Sequence, residues 1–213
     1  MLRVKCVPVG ALLSNSYIVF DPESRIGIII DAGDESEKII RAVREVQVEI
    51  EGIYATHGHF DHVLAVRELK EELGCKFYIH RGDEEILSRA VSEAREVLGV
   101  ERLAPPRPDK YIEEGDRITL GTEEIKVIHA PGHTPGSVCY LFDRGIFTGD
   151  LLFAGSIGRT DLLGGDLKTL VKTIKEKIFK LPDDYVIYPG HGPSSTIGAE
   201  KAHNPYVGRF GIL

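Results

Sequence analysis

Thr56-His57-Gly58-His59-Phe60-Asp61-His62 is the most informative stretch of this chain, because it holds three imidazoles and one carboxylate within six positions. An apolar run at 50–56 predicts a β-strand before it, and a helical pattern at 62–73 follows. Alternate residues of an extended segment point to one side, so His57 and His59 are expected to face a common point. Imidazole and carboxylate are ligands of zinc and similar divalent ions. The stretch therefore predicts a metal site at the end of a strand.

Three further candidate ligands follow apolar strands inside turns rich in glycine and proline. They are His133 in Ala-Pro-Gly-His-Thr-Pro-Gly-Ser (130–137), Asp150 in Phe-Thr-Gly-Asp (147–150) and His191 in Pro-Gly-His-Gly-Pro (189–193). Together with the first stretch they make five histidines and two aspartates, which are too many for one tetrahedral ion. The set suits two ions about 3.5–4 Å apart that share a carboxylate.

Length, charge and cysteine content narrow the class of protein. The 213 residues carry 26 Lys and Arg against 33 Asp and Glu, a net charge of −7, which disfavours a nucleic-acid or anionic-membrane partner. No apolar run approaches the roughly 18 residues of a membrane-spanning helix, and the N-terminus lacks the pattern of a signal peptide. The 3 cysteines are scattered and include no CxxC pair, which predicts reduced thiols and a cytoplasmic location.

The pattern along the chain predicts a layered α/β domain with helices outside the sheets. Strands are predicted at 4–9, 17–21, 26–31, 50–56, 76–79, 117–120, 124–130, 138–142 and 185–188. Helices are predicted at 34–46, 62–73, 83–98 and 166–179, with Asp34 as an N-cap and Gly74 closing the second helix. Because no linker is long enough to separate two domains, we expect one domain over residues 1–213.

The stretch at 56–62 matches the HxHxDH signature of the metallo-β-lactamase superfamily, and the other ligand turns follow in that family's order. The chain therefore resembles this superfamily over nearly its whole length. The resemblance implies a four-layer αββα sandwich, in which two mixed β-sheets are flanked by helices and the metals lie at one edge. It also implies two ligand sets and one bridging residue: His57, His59 and His133; Asp61, His62 and His191; and Asp150.

Within the superfamily, the chain is most similar to the short, single-domain hydrolases of the glyoxalase II type. This similarity rests on Asn-Ser-Tyr at 15–17, on the turn at 132–137, and on Gly-Asp-Leu-Leu-Phe at 149–153 followed by Gly-Arg-Thr-Asp at 158–161. It implies hydrolysis of a small thioester such as S-lactoylglutathione. Arg159 falls near the place of a substrate-binding lysine in those enzymes. Their C-terminal helical region, which holds glutathione, has no counterpart in this sequence.

The expected mechanism is hydrolysis by a hydroxide that bridges two divalent ions. Zinc is the first expectation for these ions, although iron and manganese use the same ligands. The hydroxide attacks the acyl carbon, Asp61 orients it or accepts its proton, and Asp150 bridges the ions, so both aspartates are predicted to be catalytic. A leaving thiolate is stable near neutral pH, so no strong general acid is required.

Several other functions share parts of this pattern. A persulfide (sulfur) dioxygenase with one iron is the main alternative, because it uses the first-site histidines and the bridging aspartate. A β-lactamase is disfavoured because no cysteine falls where that group binds its second metal, and an RNA-processing nuclease is disfavoured by the acidic charge. A metal-binding structural or regulatory module with no turnover is disfavoured, because a structural zinc site usually closes with four ligands rather than seven. His80, His129 and His203 are predicted to be structural or exposed, and the oligomeric state is left open.

Overall fold

Two six-stranded β-sheets face each other, and helices cover the outer face of each. The computed structural model describes residues 1–99 and 104–213. The first sheet contains, in spatial and chain order, β1 (Arg3–Val9), β2 (Ser14–Asp21), β3 (Ile26–Ile30), β4 (Glu49–Tyr54), β5 (Lys76–His80) and β6 (Lys110–Ile112). The strands β1 to β3 pair antiparallel and β3 to β6 pair parallel. The first sheet is therefore mixed, as predicted.

The second sheet is also mixed. Its part of the chain contains β7 (Arg117–Leu120), β8 (Glu123–His129), β9 (Val138–Phe142), β10 (Gly145–Gly149), the small hairpin β11 (Leu152–Phe153) and β12 (Ser156–Ile157), β13 (Val186–Pro189) and β14 (Ser195–Thr196). The sheet order is β14-β13-β10-β9-β8-β7. Only β10 and β13 pair parallel, so their carboxyl ends lie at the same edge.

Amphipathic helices bury one apolar stripe each against a sheet. The helices are α1 (Ser36–Val46), α2 (Val66–Leu73), α3 (Glu84–Leu98), α4 (Leu167–Glu176) and α5 (Ile197–His203). Ile39 of α1 and Leu69 of α2 pack in one apolar cluster with the first sheet, whereas Leu170 and Ile174 of α4 pack in another with the second. The predicted four-layer αββα sandwich is confirmed.

The middle strands are buried on both faces, and their side chains alternate between two cores. In β2, Ile18 belongs to the cluster under the helices, and its neighbours Tyr17 and Val19 belong to the cluster between the sheets. Buried hydroxyl groups in this central layer find partners across it. Tyr17 Oη donates to the carbonyl of Pro189 at 2.6 Å, and Tyr140 Oη donates to that of Ala55 at 2.7 Å. These bonds connect the two sheets close to the edge predicted to hold the metals.

Two predicted helix starts are wrong, and the second difference has a tertiary cause. The first helix begins at Ser36, and its N-cap position is Glu35 in the left-handed region with φ 48°, not Asp34. The second helix begins at Val66 rather than at position 62. Residues 60–62 form a 3-10 turn instead, because the carbonyl of His62 accepts the N–H of Ala32 at 2.8 Å and so leaves the helical pattern.

Other predicted boundaries agree more closely with the structure. Gly74 ends α2 in the left-handed conformation, with φ 66°, as predicted. The helix predicted at 166–179 is α4, capped by Asp166, whose carboxylate accepts the N–H of Thr169 at 2.6 Å. The remainder of that prediction is a 3-10 turn at Ile178–Lys180. The apolar pattern of the sequence thus predicted where the helices lie more accurately than where they begin and end.

Two general properties bear on the sequence predictions. Within residues 1–99 and 104–213, no helix has the length and apolar character needed to cross a bilayer. Cys6, Cys75 and Cys139 are all free thiols, the first exposed and the other two buried. The prediction of reduced cysteines agrees with this arrangement.

The core between the sheets should dominate stability. Ile28 is fully buried there, so Ile28→Ala should lower the free energy of unfolding by about 2–5 kcal/mol, through lost burial and a residual cavity. Ile212 is exposed near the C-terminus, and Ile212→Ala should change that free energy by less than about 0.5 kcal/mol. Urea unfolding measures both variants, and equal effects would contradict the assigned core.

Candidate metal centre

Four loops at one edge of the sandwich bring the predicted ligands together. His57 follows β4, His133 lies between β8 and β9, Asp150 follows β10 and His191 follows β13. Their ligand atoms form three groups in which all atoms lie within 4.8 Å of one another: His57, His59 and His133; His57, His62 and Asp150; and Asp61, His62 and His191. All seven residues predicted from the sequence therefore lie in one cluster.

Asp150 lies between the two outer groups. Its Oδ1 is 3.4 Å from Nε2 of His62, and its Oδ2 is 3.6 Å from Nε2 of His191 and 3.8 Å from Nε2 of His133. Asp61 contacts one group only, with Oδ2 3.1 Å from His191 Nε2. One carboxylate thus faces both groups, as expected of a bridging ligand, while the other belongs to the second.

Hydrogen bonds to Asp31 determine how two of the rings are oriented. Thr56 Oγ1 donates to Oδ2 of Asp31 at 2.8 Å, and Thr56 N–H donates to Oδ1 at 2.7 Å. Because its one proton is used there, Thr56 Oγ1 accepts from Nδ1 of His57, 3.0 Å away. The Oδ2 atom of Asp31 also accepts from Nδ1 of His62 at 2.9 Å. Both rings therefore direct Nε2 into the cluster.

Backbone carbonyls orient two more rings in the same way. His133 Nδ1 donates to the carbonyl of Arg159 at 2.8 Å, and His191 Nδ1 donates to that of Leu12 at 3.1 Å. In His59 it is Nδ1 that faces the cluster, 2.9 Å from Nε2 of His133. A hydrogen bond on the outer nitrogen is the usual way in which a protein fixes the tautomer of a metal-binding histidine.

The cluster fits divalent cations because several of its inner nitrogen and oxygen atoms are buried without a hydrogen-bond partner. In the part of the chain that the structure describes, Nε2 of His57, Nε2 of His62 and Oδ1 of Asp150 are buried without a hydrogen-bond partner. Buried polar atoms without partners are costly, and a cation removes that cost. Nitrogen and carboxylate donors suit zinc and iron alike.

Charges within the cluster shift the pKa values of its rings in opposite directions. Burial, followed by the neighbouring rings, lowers the pKa of His57 well below its usual value and that of His59 to about 3. Burial also disfavours a charge on His62, but the carboxylates of Asp61, Asp150 and Asp31 outweigh it and raise its pKa to about 10. His57 and His59 are therefore held neutral, ready to bind a cation, whereas His62 holds a proton until a cation replaces it.

Two buried aspartates that support the cluster were missed in the sequence. Asp31 ends an apolar run, and an acidic residue at a strand end was the signal that could have identified it. Asp83 precedes α3, accepts from the N–H groups of Gly58 and Gly136 at 2.8 and 2.6 Å, and accepts from Thr134 Oγ1 at 2.7 Å. It therefore ties the loop of His59 to the loop of His133. Its partners are far away in sequence, so no local signal could have found it.

Two glycines allow the loops to approach this closely. Gly149 adopts φ +48°, and a Cβ atom there would lie 2.4 Å from Thr56 Oγ1. A Cβ atom on Gly190 would lie 2.1 Å from Oδ1 of Asp150. Any side chain at either position would displace a ligand or its support.

An open cavity of about 430 Å³ lies over the cluster. Arg159, predicted to bind substrate, lines this cavity, and so does Phe60. His80 and His129 stack on each other with ring centroids 4.4 Å apart and belong to none of the three ligand groups. Their predicted structural role agrees with this position.

Comparison with known proteins identifies the family. A sequence model described as the Metallo-beta-lactamase superfamily matches residues 9–191. The chain therefore belongs to the metallo-β-lactamase superfamily of metal-dependent hydrolases, as the sandwich and the His/Asp cluster at its edge also indicate.

Two relatives match over nearly the whole chain. An uncharacterized protein of Aquifex aeolicus is 44% identical over 211 residues, with 97% of this chain and 98% of the relative covered. The hydroxyacylglutathione hydrolase GloC of Haemophilus influenzae is 34% identical over 209 residues, again with 97% and 98% covered. The likeness is thus to a protein named for a thioester-hydrolysing activity.

Solved structures show the same fold with different names. The BLEG-1 B3 metallo-beta-lactamase has a TM-score of 0.88 and 34% identity, with 97% of this chain and 99% of that chain covered. The protein TTHA1623 in a di-iron-bound form has a TM-score of 0.86 and 39% identity, with 95% and 99% covered. ETHE1 from Myxococcus xanthus has a TM-score of 0.81 and 26% identity, with 96% and 84% covered.

The support from Asp31 is testable by a single substitution. Asp31→Asn keeps the shape, but its amide nitrogen cannot accept, so one of the donors from Thr56 or His62 loses its partner. Metal affinity should fall about 10–100-fold, measured by competition with a chelator. Asp184 is exposed and pairs with Arg144, so Asp184→Asn should leave the affinity unchanged. Equal affinities in all three proteins would show that Asp31 does not orient the ligands.

The opposite pKa shifts predict different charges on two neighbouring rings. In chelator-treated protein at pH 8, His62 should be an imidazolium, because its pKa is raised to about 10, whereas His59 should be neutral down to pH 5, because its pKa is lowered to about 3. Ring nitrogen shifts in ¹⁵N NMR distinguish the two states. Adding zinc should remove the His62 proton, and a neutral His62 before metal addition would contradict the assigned field of carboxylates.

Proposed function

We propose that the protein is a binuclear, metal-dependent hydrolase of thioesters, of the glyoxalase II type. The observation that carries this proposal is the pair of ligand groups joined by Asp150 beneath an open cavity. His57, His59 and His133 would hold the first ion, and Asp61, His62 and His191 the second. The likeness to a hydroxyacylglutathione hydrolase over 97% of the chain supports the thioester as substrate.

Two divalent ions bound there would supply Lewis acidity toward the carbonyl and an activated water at neutral pH. The chain's own residues orient and protect the reaction. Asp61 and Asp150 present carboxylate oxygens at the base of the cavity, where they can orient a nucleophile, and Asp61 can accept its proton. The neutral rings of His57 and His59 keep the first group free of competing protons.

The cavity offers few groups that could protonate a leaving group, which also suits a thioester. Besides the ligands, its described ionisable lining residues are Glu93 and Arg159. Arg159 does not give up its proton at neutral pH. A thiolate leaves without protonation near neutral pH, whereas an amine does not. Hydrolysis of a thioester at this site therefore requires no general acid.

Zinc is the proposed metal, and iron is the principal competitor because TTHA1623 was solved in a di-iron-bound form. Nitrogen and carboxylate donors accept both ions, so availability in the cell decides between them. The free thiols of Cys6, Cys75 and Cys139 support a reducing compartment such as the cytoplasm. We also propose that residues 1–213 act as one domain with no nucleic-acid or membrane partner.

The first assays must also test two alternative activities, those of a persulfide dioxygenase and a β-lactamase. About one iron per chain together with oxygen uptake on a persulfide would establish the dioxygenase instead. A β-lactam substrate also belongs in the panel, because a protein named a B3 metallo-beta-lactamase shares 34% identity with this chain. The missing cysteine ligand is therefore not sufficient to exclude that activity.

His59→Ala tests the proposed function directly. The substitution removes a ligand of the first group, so hydrolysis of S-lactoylglutathione or a simpler thioester should fall to background and metal content should fall. Elemental analysis and a thiol-release assay measure the two quantities. His203 is exposed and lies outside the cluster, so His203→Ala should retain both. Full metal content with full activity in His59→Ala would refute the assignment.

A further inference from the structure

The cavity over the metal cluster has an apolar wall. Its lining includes Leu12, Val97, Leu162 and Leu163, which come from three separate segments, together with Phe60 from the ligand stretch. The first four side chains are between 39 and 61% exposed. Large apolar side chains that stay exposed around a concave site mark a binding surface rather than a core.

Leu162 and Leu163 stand where a turn would ordinarily place polar residues. They lie between Asp161 and the pair Gly164-Gly165, and the N–H of Gly165 donates to the carbonyl of Leu162 at 3.0 Å to close the turn. Neither leucine belongs to one of the three apolar cores. The turn therefore presents two leucines to the cavity, and neither of them packs in the described cores.

Leu12 is tied to the metal cluster itself. It lies in the turn between β1 and β2, and its carbonyl accepts from Nδ1 of His191 at 3.1 Å. Asn15 strengthens this junction, because its side-chain amide donates to the carbonyls of Pro189 and Gly192 at 3.0 and 2.9 Å. The Leu12 part of the apolar wall is thus held in a set position relative to the metal cluster.

The described charges of the outer cavity do not favour an anionic substrate arm. Arg159 is the one guanidinium or ammonium group among the described lining residues. Its Nε and Nη2 atoms donate to the two carboxylate oxygens of Asp161 at 2.8 and 2.7 Å, which neutralises its charge. Glu93 adds a carboxylate to the same cavity. An uncharged group would enter without displacing this ion pair.

From these observations we infer that the substrates are thioesters carrying an uncharged aliphatic group, which the wall of Leu12, Val97, Leu162 and Leu163 binds beside the reacting carbonyl. This inference rests on the proposed function and narrows its substrate class. In the reaction, the acyl carbon gains a hydroxyl oxygen from water, whose proton passes to Asp61 or to solvent. The C–S bond breaks, and the sulfur leaves with the bonding pair as a thiolate. The aliphatic group belongs to either the acyl or the thiol part.

Two substrate series measure this preference in the metal-loaded protein. One lengthens the acyl chain from acetyl to octanoyl on N-acetylcysteamine, and the other lengthens an alkanethiol on an acetyl group. Burying a methylene corresponds to about fourfold in binding, so kcat/KM should rise about two- to fourfold per methylene in at least one series. The series that shows the rise identifies which part of the substrate lies on the wall.

A matched pair of variants tests the wall itself. Leu162→Ser combined with Leu163→Ser should flatten the rise with chain length while hydrolysis of the acetyl thioester continues. Leu167 is also an exposed leucine, at 42%, but it lies outside the cavity lining, so Leu167→Ser should keep the full rise. Dissociation constants of non-hydrolysable thioethers of increasing length, measured by calorimetry, should follow the same order.

The ion pair of Arg159 and Asp161 provides an independent test of the inference. Asp161→Asn frees the Arg159 guanidinium, so kcat/KM for anionic S-lactoylglutathione should rise severalfold relative to acetyl N-acetylcysteamine. In the wild-type protein, kcat/KM should be higher for the neutral hexanoyl thioester of N-acetylcysteamine than for S-lactoylglutathione. A wild-type preference for S-lactoylglutathione over that thioester would overturn the inference.

The remaining outcomes separate this inference from the proposed function. Hydrolysis of every thioester with no dependence on chain length, in either series, would overturn the aliphatic preference and leave the hydrolase intact. Chain-length-dependent binding of the thioethers with no hydrolysis of any thioester would overturn the hydrolase and support the apolar wall. A rise that survives in the Leu162 and Leu163 double variant would assign the preference to other residues and refute the wall.

Discussion

The structure depends on one electrostatic constraint: several buried nitrogen and oxygen atoms point at the same small volume. Nε2 of His57, Nε2 of His62 and Oδ1 of Asp150 are buried without partners in the described chain. Such an arrangement is costly in a protein interior unless a cation occupies it. The rings of His57, His62, His133 and His191 are kept in place because their other nitrogen is used, by Thr56, by Asp31 or by a backbone carbonyl. The fold thus maintains an arrangement that its side chains would not adopt alone.

The sandwich supplies this support from both sheets at once. Asp31 follows β3 of the first sheet, and the N–H of Val138 in β9 of the second sheet donates to the carbonyl of Thr56 at 2.8 Å. Asp83 connects the loops of His59 and His133 across the same edge. Because these bonds cross between layers, the geometry of the cluster is as rigid as the packing of the two sheets. A movement of one sheet against the other would break the ligand groups.

Reactivity and substrate choice belong to different parts of the same edge. The ligands follow strand ends and are tied to buried aspartates, whereas the proposed substrate wall comes from turns and from the last turn of α3. Turns can change without disturbing the core, because little of the core rests on them. Such a division would allow one superfamily to include proteins named as a hydroxyacylglutathione hydrolase and as a β-lactamase.

The sequence alone determined the layer order and the seven residues of the cluster, because apolar periodicity and a dense ligand motif are local properties. Their roles as ligands stay a prediction that metal analysis must test. Only the tertiary structure revealed that Asp31 and Asp83 support the cluster and that the second helix begins at Val66. It also brought the residues of the apolar wall together. Each of these depends on contacts between residues far apart in the chain. The free energy of such contacts is not reflected in the spacing of residue types along the sequence.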